Sequence, residues 1–340
     1  KQKKVTFADI AAYTGFSKTT ISRYFNNPDS LTLENQEKIA HALDILGYQE
    51  NKLAKVLANG KSEFVGIIIP NLYLHYYSEM LNQLLSTYEK YNYKFLVFIG
   101  NNKKEIEEKY IHELMAYKIE GLIVLSNTIS SEELASYKLP VVTIERECDH
   151  VCSVSTDNYL GGVQATSLLI RNKCDVILHI NSIFPDTLPT YGRIRGFEDI
   201  CNEHHVVHEL IQRNLGNTYQ ETLTQLKNIF NEIEEKYPSQ KKGVFLANDT
   251  YASMFLNLIF QKYGKLPKDY QIVGFDDSPI ASEAILPITT VGQQIEKIAQ
   301  TAMELLVLQM NEMKKRKPAP LKEPVHKQIT PVLIRRNTTD

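Results

Sequence analysis

The sequence predicts an α/β protein in which a small helical head precedes a two-lobed core of doubly wound parallel sheets. The first sixty residues carry three short helical patterns, and from there short apolar runs alternate with helical segments. A length of 340 residues corresponds to about two or three domains. Hydrophobic residues make up 43% of the chain, which supplies apolar material for packed cores and excludes a disordered or collagen-like protein.

The charge is divided unevenly along the chain. The net charge is −2, but residues 1–61 hold nine Lys and Arg against six Asp and Glu, whereas the remainder carries a net charge of −5. A basic head on an acidic body predicts that a polyanion binds to the head.

We expect a cytoplasmic protein with reduced thiols. The four cysteines, Cys148, Cys152, Cys174 and Cys201, contain no C-x-x-C pair. The apolar runs are far shorter than the ~18 residues that a membrane span needs, and the N-terminal segment has no apolar signal region. We therefore expect neither a membrane span nor a signal peptide.

Start and stop signals predict three helices in the head. Thr6 and Asp9 form a variant of the capping box at the start of the first helix. Ser17 can cap the second helix, and the third begins near Thr32 and ends at Gly47.

The spacing of Ala11, Gly15 and Ile21 indicates how the first two helices cross. A close crossing needs a small residue where the backbones touch, a glycine in the turn and an apolar residue that seals the second helix onto the first. This is helix-turn-helix geometry, whose second helix lies in the major groove of DNA. On this spacing alone, an ordinary helical hairpin stays open as an alternative.

Three blocks of the head resemble the lactose-repressor (LacI/GalR) family of regulators. They are residues 5–11 (VTFADIA), 15–23 (GFSKTTISR) and 46–51 (LGYQEN). The match runs through residues 1–61, and it implies that the head binds operator DNA.

The resemblance implies a set of DNA-binding residues. Side chains on the outward face of the second helix reach base edges, and the resemblance implies that Lys18, Thr19 and Arg23 read operator bases, although Lys18 could equally contact a phosphate. Short hydroxyl and amide donors suit phosphates, and these are Ser17, Thr20, Ser22, Thr32 and Asn35. The predicted set is completed by Thr6, Asn51, Ala54 and Leu57.

Residues 51–58 resemble the hinge helix of the family. Eight residues are too few for a helix that is stable alone in water, and Leu53 and Leu57 would share an uncovered face. In the family this helix orders when two copies pair on DNA, and Leu57 aligns with the residue that wedges between base pairs in the minor groove. An ordinary interdomain linker is the alternative.

Strand and helix patterns alternate from residue 64 onwards. The predicted strands are 65–69, 94–98, 122–125, 141–144, 176–180, 206–210, 244–247 and 272–274. Such alternation predicts parallel sheets. Because about 270 residues are too many for one such sheet, we expect two lobes with a ligand cleft at the carboxyl ends of the strands.

The family resemblance continues through the core and implies the fold of periplasmic sugar-binding proteins. The matching blocks are residues 154–162, 193–197, 247–249, 273–277 and 289–293. The predicted domains are a helix-turn-helix head (1–50), a hinge helix and linker (51–61), an N-terminal lobe (62–158 plus 291–320) and a C-terminal lobe (159–290 plus 321–340).

A sugar presents hydroxyl groups, so its receptor needs polar side chains that both donate and accept, and an aromatic platform. By matching motifs, the resemblance implies an effector site formed by Tyr76, Tyr77, Glu145, Arg193, Asn248, Asp276 and Gln293. Structural roles stay open as alternatives: Asp276 could cap a helix, Asn248 could hold a turn, and the two tyrosines could pack in the core. Arg193 has few structural roles available in a cleft.

Other chemistry finds no support in the sequence. Cys201, His204, His205 and His208 have metal-like spacing, but the segment is predicted to end a helix just before a strand, so the side chains diverge. The chain contains no G-x-S-x-G, H-E-x-x-H or G-x-G-x-x-G motif. We therefore expect no catalytic residues, no metal site and no cofactor.

These observations predict a DNA-binding transcription regulator, a repressor of sugar uptake or metabolism. It would act as a homodimer on a pseudo-palindromic operator, with a sugar or sugar phosphate as effector in the cleft. Two alternatives keep the regulatory role: control by a protein partner such as a phosphocarrier, or by a nucleobase corepressor. A third is a sugar-binding receptor without a DNA role.

Overall fold

The computed structural model describes residues 5–49, 62–146, 149–317 and 323–340. The chain divides into two compact units, residues 1–61 and 62–340. In the described residues, no helix is both long and apolar enough to cross a membrane.

In residues 5–49, the described part of the first unit, three helices form a compact head. Its helices are α1 (Phe7–Thr14), α2 (Lys18–Asn26) and α3 (Leu33–Leu46), with one 3₁₀ turn at Pro28–Ser30. They pack around a small core in which Ile10, Ile21 and Ile39 are completely buried.

The predicted helix ends of the head are confirmed. The Thr6 backbone N–H donates to Asp9 Oδ2 at 2.8 Å, and Ser17 Oγ accepts from the Thr20 backbone N–H at 3.1 Å. Gly15, with φ of 75°, takes the left-handed conformation that ends α1 and begins the turn.

The described residues of the second unit form two six-stranded sheets. The strands are β1 (Phe64–Ile69), β2 (Lys94–Ile99), β3 (Gly121–Val124), β4 (Val141–Ile144), β5 (Cys152–Thr156), β6 (Val176–Ser182), β7 (His208–Arg213), β8 (Lys242–Leu246), β9 (Tyr270–Asp276), β10 (Thr289–Gly292), β11 (His326–Ile329) and β12 (Val332–Ile334). The strand order is β11-β5-β4-β3-β1-β2 in the first lobe and β12-β10-β9-β8-β6-β7 in the second. The pairs are parallel except β10 with β12.

Helices cover both faces of each sheet. They are α4 (His75–Ser86), α5 (Tyr88–Tyr91), α6 (Lys104–Ala116), α7 (Ser131–Ser136), α8 (Asn158–Arg171), α9 (Gly192–Glu203), α10 (Tyr219–Lys236), α11 (Asp249–Tyr263), α12 (Pro279–Glu283) and α13 (Ile295–Met313), with a 3₁₀ turn at Pro189–Tyr191. Within β1, Ile67 and Ile69 belong to one core cluster whereas Ile68 belongs to another. In β6, Val176 and Ile177 likewise belong to different clusters. Since successive strand residues point to opposite faces, each sheet is doubly wound, as predicted.

The predicted division of the core into two lobes is wrong at two places. Residues 321–340 were expected to belong to the second lobe, but β11 pairs with β5 in the sheet of the first lobe. The predicted boundary at residue 291 also falls inside β10, which pairs with β9 in the second sheet. The chain passes between the lobes after β5, after β10 and between β11 and β12, where two residues suffice and no change in composition marks the crossing.

Candidate functional site

The second helix of the head presents a polar face. Lys18, Thr19 and Arg23 are exposed, whereas Ile21 is completely buried against α1 and α3. At 3.6 residues per turn, the three exposed side chains fall within an arc of about 140°. This face of α2 is therefore accessible to a partner molecule with a flat or grooved surface.

Several of the predicted phosphate-contacting residues also organise the head. Ser17 Oγ and Thr32 Oγ1 accept hydrogen bonds from the backbone at the starts of α2 and α3. Thr20 Oγ1 is 2.9 Å from Ser17 Oγ, and Ser22 Oγ accepts from Asn26 Nδ2 at 3.2 Å.

Two further predicted residues, Thr6 and Asn35, lie at the starts of α1 and α3. The remaining ones, Asn51, Ala54 and Leu57, lie outside the described residues.

In the second unit, a cavity of about 710 Å³ lies between the two lobes. The residues that line it follow the carboxyl ends of strands in both sheets, as expected for doubly wound folds. They include all seven residues predicted for the effector site: Tyr76, Tyr77, Glu145, Arg193, Asn248, Asp276 and Gln293.

Arg193, the second residue of α9, is tightly held. Only 7% of it is exposed. Its Nε donates to Asn158 Oδ1 at 2.8 Å and its Nη1 donates to the Ala247 carbonyl oxygen at 2.6 Å. The guanidinium carbon lies 3.7 Å from the centre of the Phe275 ring, a cation–π contact. The side chain is thus fixed in one orientation before any ligand arrives.

Two glycines set the position of Arg193 by letting α8 and α9 pack closely. A Cβ on Gly196 would lie 2.4 Å from the Tyr159 carbonyl oxygen, and a Cβ on Gly162 would lie 2.4 Å from the carbonyl oxygen of Arg193 itself. Any side chain at either position would push the two helices apart and move the guanidinium.

Glu145, which follows β4, is held by residues at the end of β5 and at the start of α8. Its Oε1 accepts from the Thr156 backbone N–H at 2.7 Å, and its Oε2 accepts from Asn158 Nδ2 at 2.9 Å. Its φ of 56° is in the left-handed region, which persists for a non-glycine residue only where the surroundings hold it. Burial raises the pKa of Glu145, and the nearby Arg193 charge opposes that rise.

Asp276 and Gln293 belong to the second lobe, as Arg193 does, and they line the same part of the cavity. Gln293 Nε2 donates to Asp276 Oδ1 at 2.6 Å, and Gln293 Oε1 accepts from Thr156 Oγ1 at 2.6 Å. Burial raises the pKa of Asp276 to about 7, although the Arg193 charge and the Gln293 hydrogen bond act in the other direction. Arg193, Glu145, Asp276 and Gln293, hereafter the inner group, therefore form one connected polar network at the hinge end of the cleft.

Asp249, which was not among the predicted residues, accepts hydrogen bonds from two segments beside this network. It is completely buried, its Oδ2 accepts from the Ser278 backbone N–H at 2.9 Å and its Oδ1 accepts from Thr290 Oγ1 at 2.6 Å. Burial, followed by the Asp276 charge, raises the pKa of Asp249. It ties the turn after β9, which carries Asp276, to the start of α11.

Asn248 also has a structural role, because its Oδ1 accepts from the Tyr251 backbone N–H at 2.8 Å and caps α11. Tyr76 and Tyr77 form an edge-to-face pair with ring centres 5.4 Å apart, on the first turn of α4. The Tyr76 hydroxyl is buried and has no hydrogen-bond partner among the described residues. That hydroxyl is thus available to a bound molecule.

Amide side chains at other strand ends were missed by the sequence reasoning. They line the cavity as well: Asn71, Asn102, Asn127, Asn181, Asn214 and Asn217. Asn181 is positioned by the buried His179, whose Nδ1 lies 2.9 Å from the Phe245 carbonyl oxygen and whose Nε2 lies 3.3 Å from Asn181 Nδ2. Burial lowers the pKa of His179 to about 3, so the ring is neutral. The only signal in the sequence for these cavity-lining amides was their position at or after the end of a strand.

The cysteines of the described residues are buried. Cys152, Cys174 and Cys201 are free thiols, and burial raises the pKa of Cys201 to about 12 and that of Cys174 to about 11. Thiols of this kind are mainly protonated and inert. Within the described ranges, no cluster of three or more His, Cys, Asp or Glu residues has the geometry to hold a metal ion.

Two family models match the chain. The model described as bacterial regulatory proteins, lacI family, matches residues 6–51. The model described as periplasmic binding protein-like domain matches residues 167–339, which is half of the chain.

Curated relatives match over most of their length. The sucrose operon repressor of Streptococcus mutans is 26% identical over 303 residues, covering 88% of this chain and 91% of the relative. The ribose operon repressor of Bacillus subtilis is 26% identical over 305 residues, covering 89% and 90%.

Solved structures share the fold. The lac repressor dimer bound to operator and the anti-inducer ONPF superposes with a TM-score of 0.81 at 20% identity, covering 99% of each chain. A periplasmic binding protein/LacI transcriptional regulator from Alkaliphilus metalliredigens, complexed with D-xylulofuranose, gives a TM-score of 0.70 at 26% identity and covers 82% of this chain and all of that one. The head with its exposed α2 face, the two-lobed core and these matches identify the chain as a member of the lactose-repressor family of bacterial DNA-binding transcription regulators.

Proposed function

We propose that this regulator represses an operon for sugar uptake or metabolism, and that a sugar bound in the interlobe cleft controls its affinity for operator DNA. The observation that carries the proposal is the presence on one chain of an exposed polar face on α2 and a buried polar network between two lobes. The first suits the major groove, and the second suits a small molecule rich in hydroxyl groups.

The DNA half of the proposal is supported by the character of the α2 face. Arg23 can form two hydrogen bonds to guanine, Thr19 can contact base edges, and Lys18 can contact either a base or a phosphate. The hydroxyls of Ser17 and Thr32 lie at helix starts, where backbone N–H groups favour phosphate oxygens. We infer that two heads of a homodimer read a pseudo-palindromic site.

The effector half is supported by contacts that join the lobes across the cleft. Thr156 Oγ1 of the first lobe donates to Gln293 Oε1, which follows the last parallel strand of the second sheet. In a second contact between the lobes, the His75 backbone N–H donates to Thr250 Oγ1 of α11 at 2.9 Å. A ligand that contacts both lobes would change the balance of these contacts and thereby the angle between the lobes.

The relatives point to the same ligand class. Those described above are named as sucrose and ribose operon repressors, and one structural neighbour was solved with D-xylulofuranose. We infer that the protein acts in the cytoplasm, where operator DNA lies, and that it acts by binding rather than by catalysis.

The test is a selection of binding sites from a randomised duplex library with the purified full-length protein. We expect an enriched sequence with two-fold symmetry, bound with an affinity that changes when a sugar is added. Fluorescence anisotropy with the enriched duplex and with a scrambled duplex of equal length measures both effects. Equal binding of the two duplexes would contradict the DNA half, and an operator affinity that no sugar alters would contradict the effector half.

A further inference from the structure

The cleft extends well beyond the inner group. In the first sheet the strand order from Glu145 outwards is β4-β3-β1-β2, and in the second sheet the order from Asp276 outwards is β9-β8-β6-β7. Each path crosses three intervals of about 4.8 Å, so the strand ends that border the cleft span about 14 Å. A single sugar ring is little wider than one such interval. The inner group alone would hold one ring and leave the rest of the cleft to water.

The outer half of the cleft carries hydrogen-bonding groups on both lobes. Asn102 follows β2 of the first lobe, Asn217 follows β7 of the second, and both line the cavity. Both side chains are exposed, and neither makes a side-chain hydrogen bond to another described residue. An amide offers both donors and an acceptor, which is the combination that hydroxyl groups require.

An apolar lip accompanies these amides. It consists of four residues of the segment after β6 that border the cavity: Ile183, Phe184, Pro185 and Leu188. Ile183 is 68% exposed and Pro185 is exposed as well, so both side chains are accessible to a molecule in the cleft. Apolar side chains beside amides match a pyranose or furanose ring, whose C–H groups form one face and whose hydroxyls form the rim.

The charges of the cavity disfavour an anion. Arg193 is the only Lys or Arg among the described residues that line it, whereas Glu145 and Asp276 are carboxyl groups. Two nitrogens of the guanidinium already donate to Asn158 and to Ala247. A phosphate placed at the inner group would meet two carboxyl groups and one partly occupied cation, which is a poor phosphate site.

We propose that the effector is an uncharged glycoside of at least two sugar rings, with one ring on the inner group and the next between the outer amides and the apolar lip. The inference rests on the proposed function, since it assumes that the cleft is the effector site. It narrows the ligand class by excluding sugar phosphates and free monosaccharides as the preferred ligand.

The first arm of the test is calorimetric titration of the full-length protein with three sets of probes. They are neutral di- and trisaccharides (sucrose, maltose, cellobiose, lactose, trehalose, maltotriose), their component monosaccharides with ribose, and glucose 6-phosphate with fructose 6-phosphate. We expect a member of the first set to bind at least ten times more tightly than its component monosaccharides, and neither phosphate to bind. Tighter binding of a monosaccharide or a phosphate would overturn the inference and leave the proposed function standing.

The second arm removes the outer amides while keeping the inner group. In the double variant Asn102→Gly and Asn217→Ala, glycine at position 102 preserves the left-handed backbone, whose φ is 53°. Loss of two hydrogen bonds should weaken the preferred saccharide by about 10- to 30-fold. Affinity for its monosaccharide should stay unchanged, and the control Asn202→Ala, at the exposed end of α9, should affect neither.

The remaining outcomes separate the two proposals. An equal loss for saccharide and monosaccharide, or no loss for either, would overturn the assignment of the outer half. If no carbohydrate in any set binds, while the protein still binds its operator, both the inference and the effector half of the proposed function are wrong.

Discussion

The head and the interlobe cleft present their polar side chains in opposite ways. On α2, Lys18, Thr19 and Arg23 are exposed, whereas Ile21 is completely buried and Tyr24 and Phe25 pack against the core of the head. In the cleft, Arg193 and Asp276 are almost fully buried and each is already tied to protein partners. The polar side chains of α2 are thus exposed to a partner, whereas the polar side chains of the cleft are held in place before a ligand binds.

Each site therefore obtains its specificity in a different way. An exposed side chain can be replaced without disturbing the fold, so the DNA-reading face can change while the head stays the same. A buried network must satisfy every member, so a change at one position alters its neighbours and the stability of the lobe together. Substitutions of the exposed residues Lys18, Thr19 and Arg23 should therefore act on binding alone, and substitutions in the inner group should act on both binding and stability.

The largest effect is expected for Arg193→Ala. Removing the guanidinium leaves Asp276 and Glu145 without their cation, so the free energy of unfolding of the core should fall by about 3–5 kcal/mol. The sugar response should be lost while operator binding persists. Urea denaturation and calorimetry check both effects, with Arg195→Ala on the exposed side of the same helix as the control. An unfolding free energy that differs by less than ~0.5 kcal/mol would show that the network is not preorganised by this residue.

A smaller effect is expected for Arg23→Ala, and on DNA binding only. The variant should lose about 1–3 kcal/mol of discrimination at one base pair of each half-site. Competition binding with single-base operator variants measures this. Lys18→Ala sharpens the comparison: a phosphate contact would weaken all sequences alike and reduce the salt slope by about 1. If Arg23→Ala discriminated between base pairs as well as the wild type at every position, Arg23 would not be a base-reading residue.

The third prediction concerns pH. Because burial raises the pKa of Asp276 to about 7, the folded protein binds more protons than the unfolded chain between about pH 4 and pH 7. Stability should therefore fall as the pH rises through this range, by up to ~1.4 kcal/mol per pH unit for one carboxyl group. The raised pKa of Glu145 has the same sign.

Denaturation of the wild type and of Asp276→Asn at pH 5, 6 and 7 tests this. The variant should show a shallower fall, whereas Glu203→Gln, at the exposed end of α9, should keep the wild-type slope. A steeper fall in Asp276→Asn would reverse the sign and contradict the assignment.

The smallest effect is expected for Ser17→Ala in the head. Ser17 Oγ caps α2, so its loss should destabilise that helix by about 1 kcal/mol, which is about a fivefold increase in amide exchange of residues 18–26. Ser17→Gly should cost only a few tenths of a kcal/mol. Thr19→Ala should leave the exchange unchanged, and an equal increase in both variants would contradict the division between capping and reading residues.

The sequence predicted most of the fold because its strongest patterns are local. Helix ends at Thr6, Ser17 and Gly47 follow from caps and a left-handed glycine, and the buried strands β1, β6 and β8 read as apolar runs. Four of the described strands were not predicted. The strands β5 and β10 are short and rich in Ser or Thr, and β11 and β12 are short, lie at sheet edges and are largely exposed, so none of the four forms an apolar run.

The candidate sites divide in the same way. The inner group could be predicted because its members stand in family-like blocks after strands, and all of them line one cavity. Asp249 and Asn158 act through hydrogen bonds to residues far away in the chain, to Thr290 and Arg193 respectively, which no local pattern reveals. The outer amides are single polar residues in loops, and only the folded cleft brings Asn102 and Asn217 into one cavity.

The most direct test of the account is a measurement of reciprocal linkage between the head and the cleft. Operator affinity is measured with and without the saturating effector, and effector affinity is measured with and without saturating operator, at one salt concentration. We expect the same factor in both directions, about 5- to 150-fold, because both ligands act on one conformational equilibrium. If the effector binds in the cleft but both factors equal one, the two sites are independent and the central claim is wrong.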